Sequence, residues 1–310
     1  MNKNSSSKIR KKSALIRPIR VIRVAIPPSP NFLLQYAPMT ILEAIILGII
    51  QGATEFLPIS SSGHLLLVPA LLNISEPDLN TTAIAHLGTL LAVLIYFRRD
   101  VWQIIIAVLN GLYQRRPFEN DMSRLGWQIL AGTIPAALIG LLFEDTFERI
   151  FGSPTIAAVA LFGTAALLII GERLHSGTKA LKELTWPDAL IIGLFQLIAL
   201  MPGISRSGST ITGGLVRHLD RATAARFSFL LGIPAIAGAG LLALLDLFGS
   251  PNAADQLPEL AVTFIVSAVV GYLCIAFLLA WLRQHRLYPF AIYCAIFGAI
   301  FLILQAANII

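Results

Sequence analysis

A carboxylate, an imidazole and a guanidinium each interrupt a long apolar run in this chain: Glu55, His64 and Arg206. Arg206 carries the strongest signal. A guanidinium in apolar surroundings needs an anionic partner, and its planar fork matches phosphate oxygens. Ser205, Ser207, Ser209 and Thr210 beside it supply further donors. Glu55 stands four residues after Gln51, so the two share one helical face. It can ligate a hard cation or orient an attacking group. His64 can shuttle a proton, attack as a nucleophile or donate to an oxyanion. Ser60, Ser61, Ser62 and Gly63 place three hydroxyls and a flexible backbone at the start of a helix, which is an anion site. Together these groups suit phosphoryl chemistry on a substrate that arrives through a bilayer. Each also has a structural reading. Glu55 could serve only as an acceptor for nearby hydroxyls, the serines could satisfy a loop, and Arg206 could be the fixed partner of Glu55. Pairing and chemistry are compatible if the pair opens when substrate arrives. His86, in the next apolar run, reads as structural.

The elements that must position these residues come in two copies. One stretch runs from Gln51 to His64 and the other from Gln196 to Thr210. Gly48 and Gly193 lie 145 positions apart, as do Gln51 and Gln196, Ile59 and Ile204, Ser60 and Ser205, Ser62 and Ser207, and Gly63 and Gly208. Pro58 and Pro202 fall one residue out of that register. Each copy reads as an apolar helix, a proline break, a Ser/Gly loop and a second short apolar helix.

Composition says where these copies sit. The chain has 310 residues, 56% apolar and 13% charged, with a mean hydropathy of +0.77. Soluble domains carry about 25% charged residues, so this is a membrane protein. The formal charge of +6 comes from the first 38 residues, with eight Lys/Arg and no acid; the rest holds 15 basic and 17 acidic residues. Nothing in the body calls for nucleic acid. Cys274 and Cys294 lie in apolar runs without metal or redox spacing and read as small buried hydrophobes. The basic tail, residues 1–38, contains no coherent span. The reading favours Met39 as the natural first residue over a disordered tail or a transit peptide.

Six apolar runs are long enough to cross: about 81–97, 126–143, 155–171, 227–247, 260–282 and 288–307. Residues 40–57, 65–72, 189–201 and 211–216 are too short or too polar, and make two hairpins that enter and leave on one side. Irregular backbone at that depth requires surrounding protein or a water-filled cavity. A weaker, interfacial helix is expected over 101–113. The expected fold is an all-α polytopic membrane protein built as an inverted repeat, 39–187 and 188–310. Each half is one re-entrant hairpin plus three transmembrane helices, with the site at the repeat interface. The loops 98–125, 172–188, 217–226 and 283–287 hold the basic residues and are read as inside; 144–154 and 246–259 are read as outside.

The two stretches resemble the signature motifs of the undecaprenyl-diphosphate phosphatase family, the bacitracin-resistance proteins. Gln51 to His64 is similar to the family's Glu/Gln-x-x-x-Glu followed by Pro-x-Ser-Ser-x-Gly-His. Pro202 to Thr210 is similar to Pro-Gly-x-Ser-Arg-Ser-x-x-Thr. The resemblance covers roughly residues 39–310. It implies a multi-pass enzyme of the bacterial plasma membrane, with a site opening to the outer face. Such an enzyme releases phosphate from the C55 polyprenyl diphosphate, recycling the lipid carrier of cell-wall synthesis and giving bacitracin resistance. The implied catalytic residues are Glu55, Ser61, His64 and Arg206. Gln51, Ser60, Ser62, Ser205, Ser207 and Thr210 would bind substrate. The resemblance also implies a divalent cation, Mg²⁺ or Ca²⁺, with Glu55 as ligand. Gln51 stands where some members have Glu, so a second carboxylate is absent. A homodimer is compatible with this reading. The nucleophile stays open between water, Ser61 and His64. The competing class is a transporter or flippase of a phosphorylated lipid or anionic solute, since broken helices in repeats are common there.

Overall fold

The computed structural model describes residues 39–143, 153–249 and 256–310. The basic tail, residues 1–38, most of the 144–154 loop and residues 250–255 of the 246–259 loop lie outside these. The described chain is helical: α1 Ile41–Phe56, α2 Ser61–Leu72, α3 Leu79–Tyr96, α4 Arg98–Tyr113, α5 Asp121–Leu142, α6 Pro154–Leu174, α7 Trp186–Ile198, α8 Arg206–Val216, α9 Arg221–Gly249, α10 Leu257–Trp281 and α11 Tyr288–Ala306. Among the described residues the one β feature is an isolated bridge between Lys179 and Leu219.

Both expected hairpins form. Thr40 and Glu43 make a reciprocal capping box that starts α1, and Thr185 and Asp188 do the same for α7. α1 stops because Leu57 precedes Pro58 and is forced into extended geometry, with ψ 140°. α7 stops short of Pro202 and Gly203. The arms α1, α2, α7 and α8 have 16, 12, 13 and 11 residues. At 1.5 Å per residue each spans only about 17–24 Å, short of a hydrocarbon core of about 30 Å. The second arms begin earlier than hydropathy suggests, at Ser61 and Arg206 rather than near 65 and 211. Serine N-caps, not apolar content, set their starts.

Among the described residues, five helices, α3, α6, α9 (over Arg221–Leu241), α10 and α11, are long and apolar enough to cross a membrane. The run at 126–143 is the 22-residue α5, whose first turns carry Asp121, Arg124 and Gln128. α4, expected as interfacial, is a separate 16-residue helix packed on α5, with Trp102, Leu109 and Tyr113 exposed.

The helices of one half pack against those of the other. α10 lies on α1 and α3, α5 lies on α7 and α9, α6 lies on α11, and α3 lies on α9. Gly48 and Gly193 make two of these contacts. A Cβ on Gly48 would come within 3.0 Å of the Thr263 carbonyl on α10, and one on Gly193 would overlap the backbone of Gly132 on α5. Small residues let helix backbones approach where lipid offers no hydrophobic drive for packing. Phe56 adds an edge-on contact with Phe229, centroids 5.2 Å apart, worth about 0.5–1.5 kcal/mol. It holds the end of α1 against α9.

The four basic loops meet in space. Arg221 forks onto Glu172, and Leu287 N donates to the same carboxylate at 2.8 Å. Arg226 pairs with Asp100 at 2.7 Å. Asp188, buried at the start of α7, accepts from Lys179 and from Arg217. The Arg221–Glu172, Arg226–Asp100 and Arg217–Asp188 pairs tie segments distant in sequence at one end of the bundle.

Candidate active site

The two hairpin tips meet at Glu55. It lies in the last turn of α1, 7% exposed, and both its oxygens are taken. Arg206 Nη2, the first residue of α8, reaches Oε1 at 2.5 Å. Ser61, the first residue of α2, donates to Oε2 at 2.7 Å. Gln51, one turn back on α1 and fully buried, donates its Nε2 to Oε2 at 3.0 Å. A buried carboxylate is tolerated at such a depth because it is paired and hydrogen-bonded. The cation is held in turn: Arg206 Nη1 donates to the Ser228 carbonyl on α9 at 3.3 Å. Gly232, one turn further along α9, leaves room for the guanidinium, which any side chain there would overlap. The Arg206 side chain keeps 18% exposure, so the pair is reachable.

Both tips are built alike. Ser60 Oγ accepts from Gly63 N at 3.2 Å, and Ser205 Oγ accepts from Gly208 N at 3.0 Å, each capping its second arm. Ser60 and Ser62 hydroxyls lie 3.4 Å apart, and those of Ser205 and Ser207 3.1 Å. The second tip is more deeply embedded. Ser207 donates to the Leu57 carbonyl of the first tip at 3.2 Å. Thr210 reaches the Arg206 carbonyl at 2.8 Å and Ser228 Oγ at 2.6 Å. Ser205 N donates to Thr164 on α6 at 2.9 Å. Ser205, Ser207 and Thr210, expected to donate to substrate, thus bond to protein in this state and shape the loop that presents Arg206.

His64 stands apart from the pair. Its Nδ1 is 2.7 Å from the Ser60 carbonyl and its Nε2 2.8 Å from the Tyr293 hydroxyl. Its ring lies parallel to those of Phe297 and Tyr293, at 4.7 and 5.6 Å between centroids. Neither of these hydrogen bonds reaches Glu55 or Arg206.

His86, read as structural from the sequence, is a neighbour of the carboxylate. Its Nδ1 donates to the Thr82 carbonyl at 2.7 Å, which aims Nε2 at Glu55 Oε2, 3.6 Å away. Its side chain is 29% exposed. The signal that could have found it was present: an ionisable residue inside an apolar crossing helix is a functional candidate by default. Ser228 and Tyr293 carried no such signal and are defined only by contact.

The donor set bears on a cation. Among the described residues no three His, Cys, Asp or Glu side chains cluster as ligands. The oxygens on offer are the Glu55 carboxylate and Gln51 Oε1, which is buried without a hydrogen-bond partner. Magnesium keeps several waters and binds through one or two carboxylates plus substrate phosphates. The residues fit a cation that shares a phosphate ligand, not a site closed by protein alone.

The fold and site define a class: a polytopic helical membrane protein with an Arg–Glu–Ser cluster between two broken helices. Within that class, residues 44–300 match the family described as Bacitracin resistance protein BacA, and the chain belongs to that family. Among curated relatives, the undecaprenyl-diphosphatase of Chlorobium phaeovibrioides is 48% identical over 278 residues, covering 87% of this chain and 99% of the relative. That of Chloroherpeton thalassium is 48% identical, covering 85% and 96%. That of Chlorobaculum tepidum is 47% identical, covering 84% and 95%.

Proposed function

We propose that this protein is a phosphatase of polyprenyl diphosphates, acting on undecaprenyl diphosphate and yielding the monophosphate and inorganic phosphate. The observation that carries this is the convergence of Arg206 and Ser61, from opposite hairpins, on the one carboxylate of Glu55. The names of the relatives point to the same substrate.

The incoming diphosphate takes Arg206 from Glu55, because a guanidinium fork binds phosphate oxygens as well as carboxylate. Phosphoryl transfer rests on positioning and charge neutralisation, so this clamp is the largest single contribution. Glu55, released from Arg206, keeps its hydrogen bond from Ser61. In this reading Ser61 Oγ attacks the terminal phosphorus and its proton passes to Glu55. The bond from that phosphorus to the bridging oxygen breaks, and the oxygen leaves with the prenyl monophosphate. Water then hydrolyses the phosphoserine, regenerating Ser61 and releasing phosphate. A divalent cation, Mg²⁺ or Ca²⁺, would be held by Glu55 and Gln51 Oε1 with phosphate oxygens, and would neutralise charge on the diphosphate.

The halves are read as an inverted repeat, supported by the reciprocal packing of α10 on α1 and α3 and of α5 on α7 and α9. The joined basic loops are taken as the cytoplasmic end, since Lys and Arg accumulate there. The site then opens to the outer face, where the lipid carrier of cell-wall synthesis is recycled. Bacitracin resistance is the expected phenotype of raised expression.

Detergent-solubilised protein given undecaprenyl diphosphate should release inorganic phosphate. A transporter with the same fold would release none. A phosphorylated intermediate trapped by rapid quench and stable to acid would place the phosphoryl group on Ser61.

A further inference from the structure

We propose that His64 is a positioning residue and not a proton carrier or nucleophile, and that Tyr293 on α11 holds it in that role. The inference deepens the phosphatase reading and rests on it.

Ser60 is the residue that His64 holds. Its φ is +77°, in a region that a residue with a Cβ adopts only at a cost of about 1–3 kcal/mol. This geometry turns the chain from the Pro58 break into α2 and sets where Ser61 points. Ser60 is held from two directions. Its hydroxyl caps Gly63 N, and its carbonyl accepts both the backbone N–H of His64 at 3.2 Å and the His64 ring at 2.7 Å. A carbonyl only accepts, so Nδ1 carries the proton of that second bond. Nε2 then presents its lone pair to the Tyr293 hydroxyl at 2.8 Å. Both ring nitrogens are therefore committed, and the residue is 3% exposed. Phe297 and Tyr293 lie parallel to the imidazole and fix its plane. A ring gripped at both nitrogens and over its face is suited to holding the Ser60 carbonyl, not to reaching a phosphorus atom.

The second tip supports this division. There the positive φ, +87°, falls on Gly203, where it carries no Cβ penalty. The position 145 residues after His64 is Ser209, whose buried hydroxyl has no hydrogen-bond partner. The brace occurs where a serine is held at positive φ and is absent at the second tip, where Ser205, the mate of Ser60, has φ −68° and the positive φ falls on glycine.

The test uses two substitutions that each keep one nitrogen position. Asn places its amide nitrogen where Nδ1 stands; Gln places its own where Nε2 stands. Full-length enzyme is assayed on undecaprenyl diphosphate for kcat and KM, with thermal unfolding in detergent as the check on folding. His64→Asn is expected to stay within about tenfold of the parent kcat, because the Ser60 bond survives. His64→Gln is expected to lose about 100-fold in kcat at unchanged KM, through misplacement of Ser61. Tyr293→Phe should lose a few-fold, about the effect of one hydrogen bond, with KM unchanged. If His64→Asn is as inactive as His64→Gln while both unfold at the parent temperature, or if phosphate is trapped on His64, the proposal is overturned. Should the Gln variant not fold, the Asn and Tyr293→Phe variants decide it: loss of all turnover in His64→Asn overturns the brace. Absence of phosphate release by the parent enzyme would reject the phosphatase reading itself, a separate outcome.

Discussion

The two hairpin tips differ at one position in their caps, Ser60–Gly63 and Ser205–Gly208. Each has a serine N-cap, a second serine two residues on, and a glycine whose N–H is capped. Between the two serines the first tip carries Ser61 and the second Arg206, 145 positions apart. These repeat mates are the groups that bond the two oxygens of Glu55. Glu55 itself has no acidic mate, since Leu200 stands at that offset. The shared residues build and cap the loops, and the residues that differ carry the charge and the chemistry. The tips also differ in depth. The second is surrounded by α6, α7 and α9 and is buried from Ser207 to Leu215, whereas Ser61 and Ser62 of the first remain part-exposed.

The sharpest way to break this comparison is to remove the cation of the second tip. Arg206→Ala is expected to lower turnover by about 10³-fold or more. Arg206→Lys should recover little of it, because Lys has charge but no fork. Near-normal phosphate release by the Lys variant would show that the tips differ in charge alone.

Glu55→Gln comes next. It keeps the shape but removes the charge that Arg206 and Ser61 share, and turnover should fall by about 10²–10³-fold. A part-buried Arg206 left without its partner should also lower the unfolding temperature, at a cost below the about 3–5 kcal/mol of breaking a fully buried pair. Unchanged stability with lost activity would mean that the guanidinium finds another acceptor.

Gly232→Ala tests whether the second tip needs its surroundings to present Arg206. The added methyl overlaps the guanidinium, and a displacement of about 1 Å at a reacting group costs about 10²-fold. Steady-state kinetics with intact protein by size-exclusion chromatography would measure it.

The glutamines sharpen the comparison further. Gln51 bonds Glu55, while Gln196, its mate, is buried with neither amide atom hydrogen-bonded to protein. Gln51→Ala should cost about tenfold in turnover, one hydrogen bond to a charged group. Gln51→Glu should shift cation dependence without abolishing activity. Gln196→Leu should leave turnover unchanged and raise stability by about 1 kcal/mol, by removing an unsatisfied buried amide.

The smallest expected difference lies in the caps. Ser205→Ala should cost about 1 kcal/mol of stability as a lost N-cap. Ser60→Gly should cost less than Ser60→Ala, because glycine relieves the positive φ. Thermal unfolding of the three variants ranks them. Equal losses for Ala and Gly at position 60 would show that its conformation is not under strain.

Much of this was legible in the chain. Apolar content and run length place it in a membrane, because a bilayer demands long uncharged helices whatever their neighbours. The broken helices announce themselves by proline and short apolar length, which act within a few residues. The 145-residue offset marks Gln51, Ser60, Ser62 and Gly63 with their mates as parts of one device, and Glu55 and Arg206 stand out as ionisable groups in apolar runs; the structure joins Gln51, Ser61 and Arg206 at Glu55. What tertiary structure alone decided is which way each side chain turns. Glu55 and His86 lie on different helices, and only the packing of α3 beside α1 sets them 3.6 Å apart. His64 carries the side chain most suited to proton transfer, yet the rotation of α2 against α11 commits it to Ser60 and Tyr293, a partner 229 positions away. Residue type and spacing report what a group can do. The face of the helix on which it lies, set by contacts between segments far apart in sequence, decides which partner it meets.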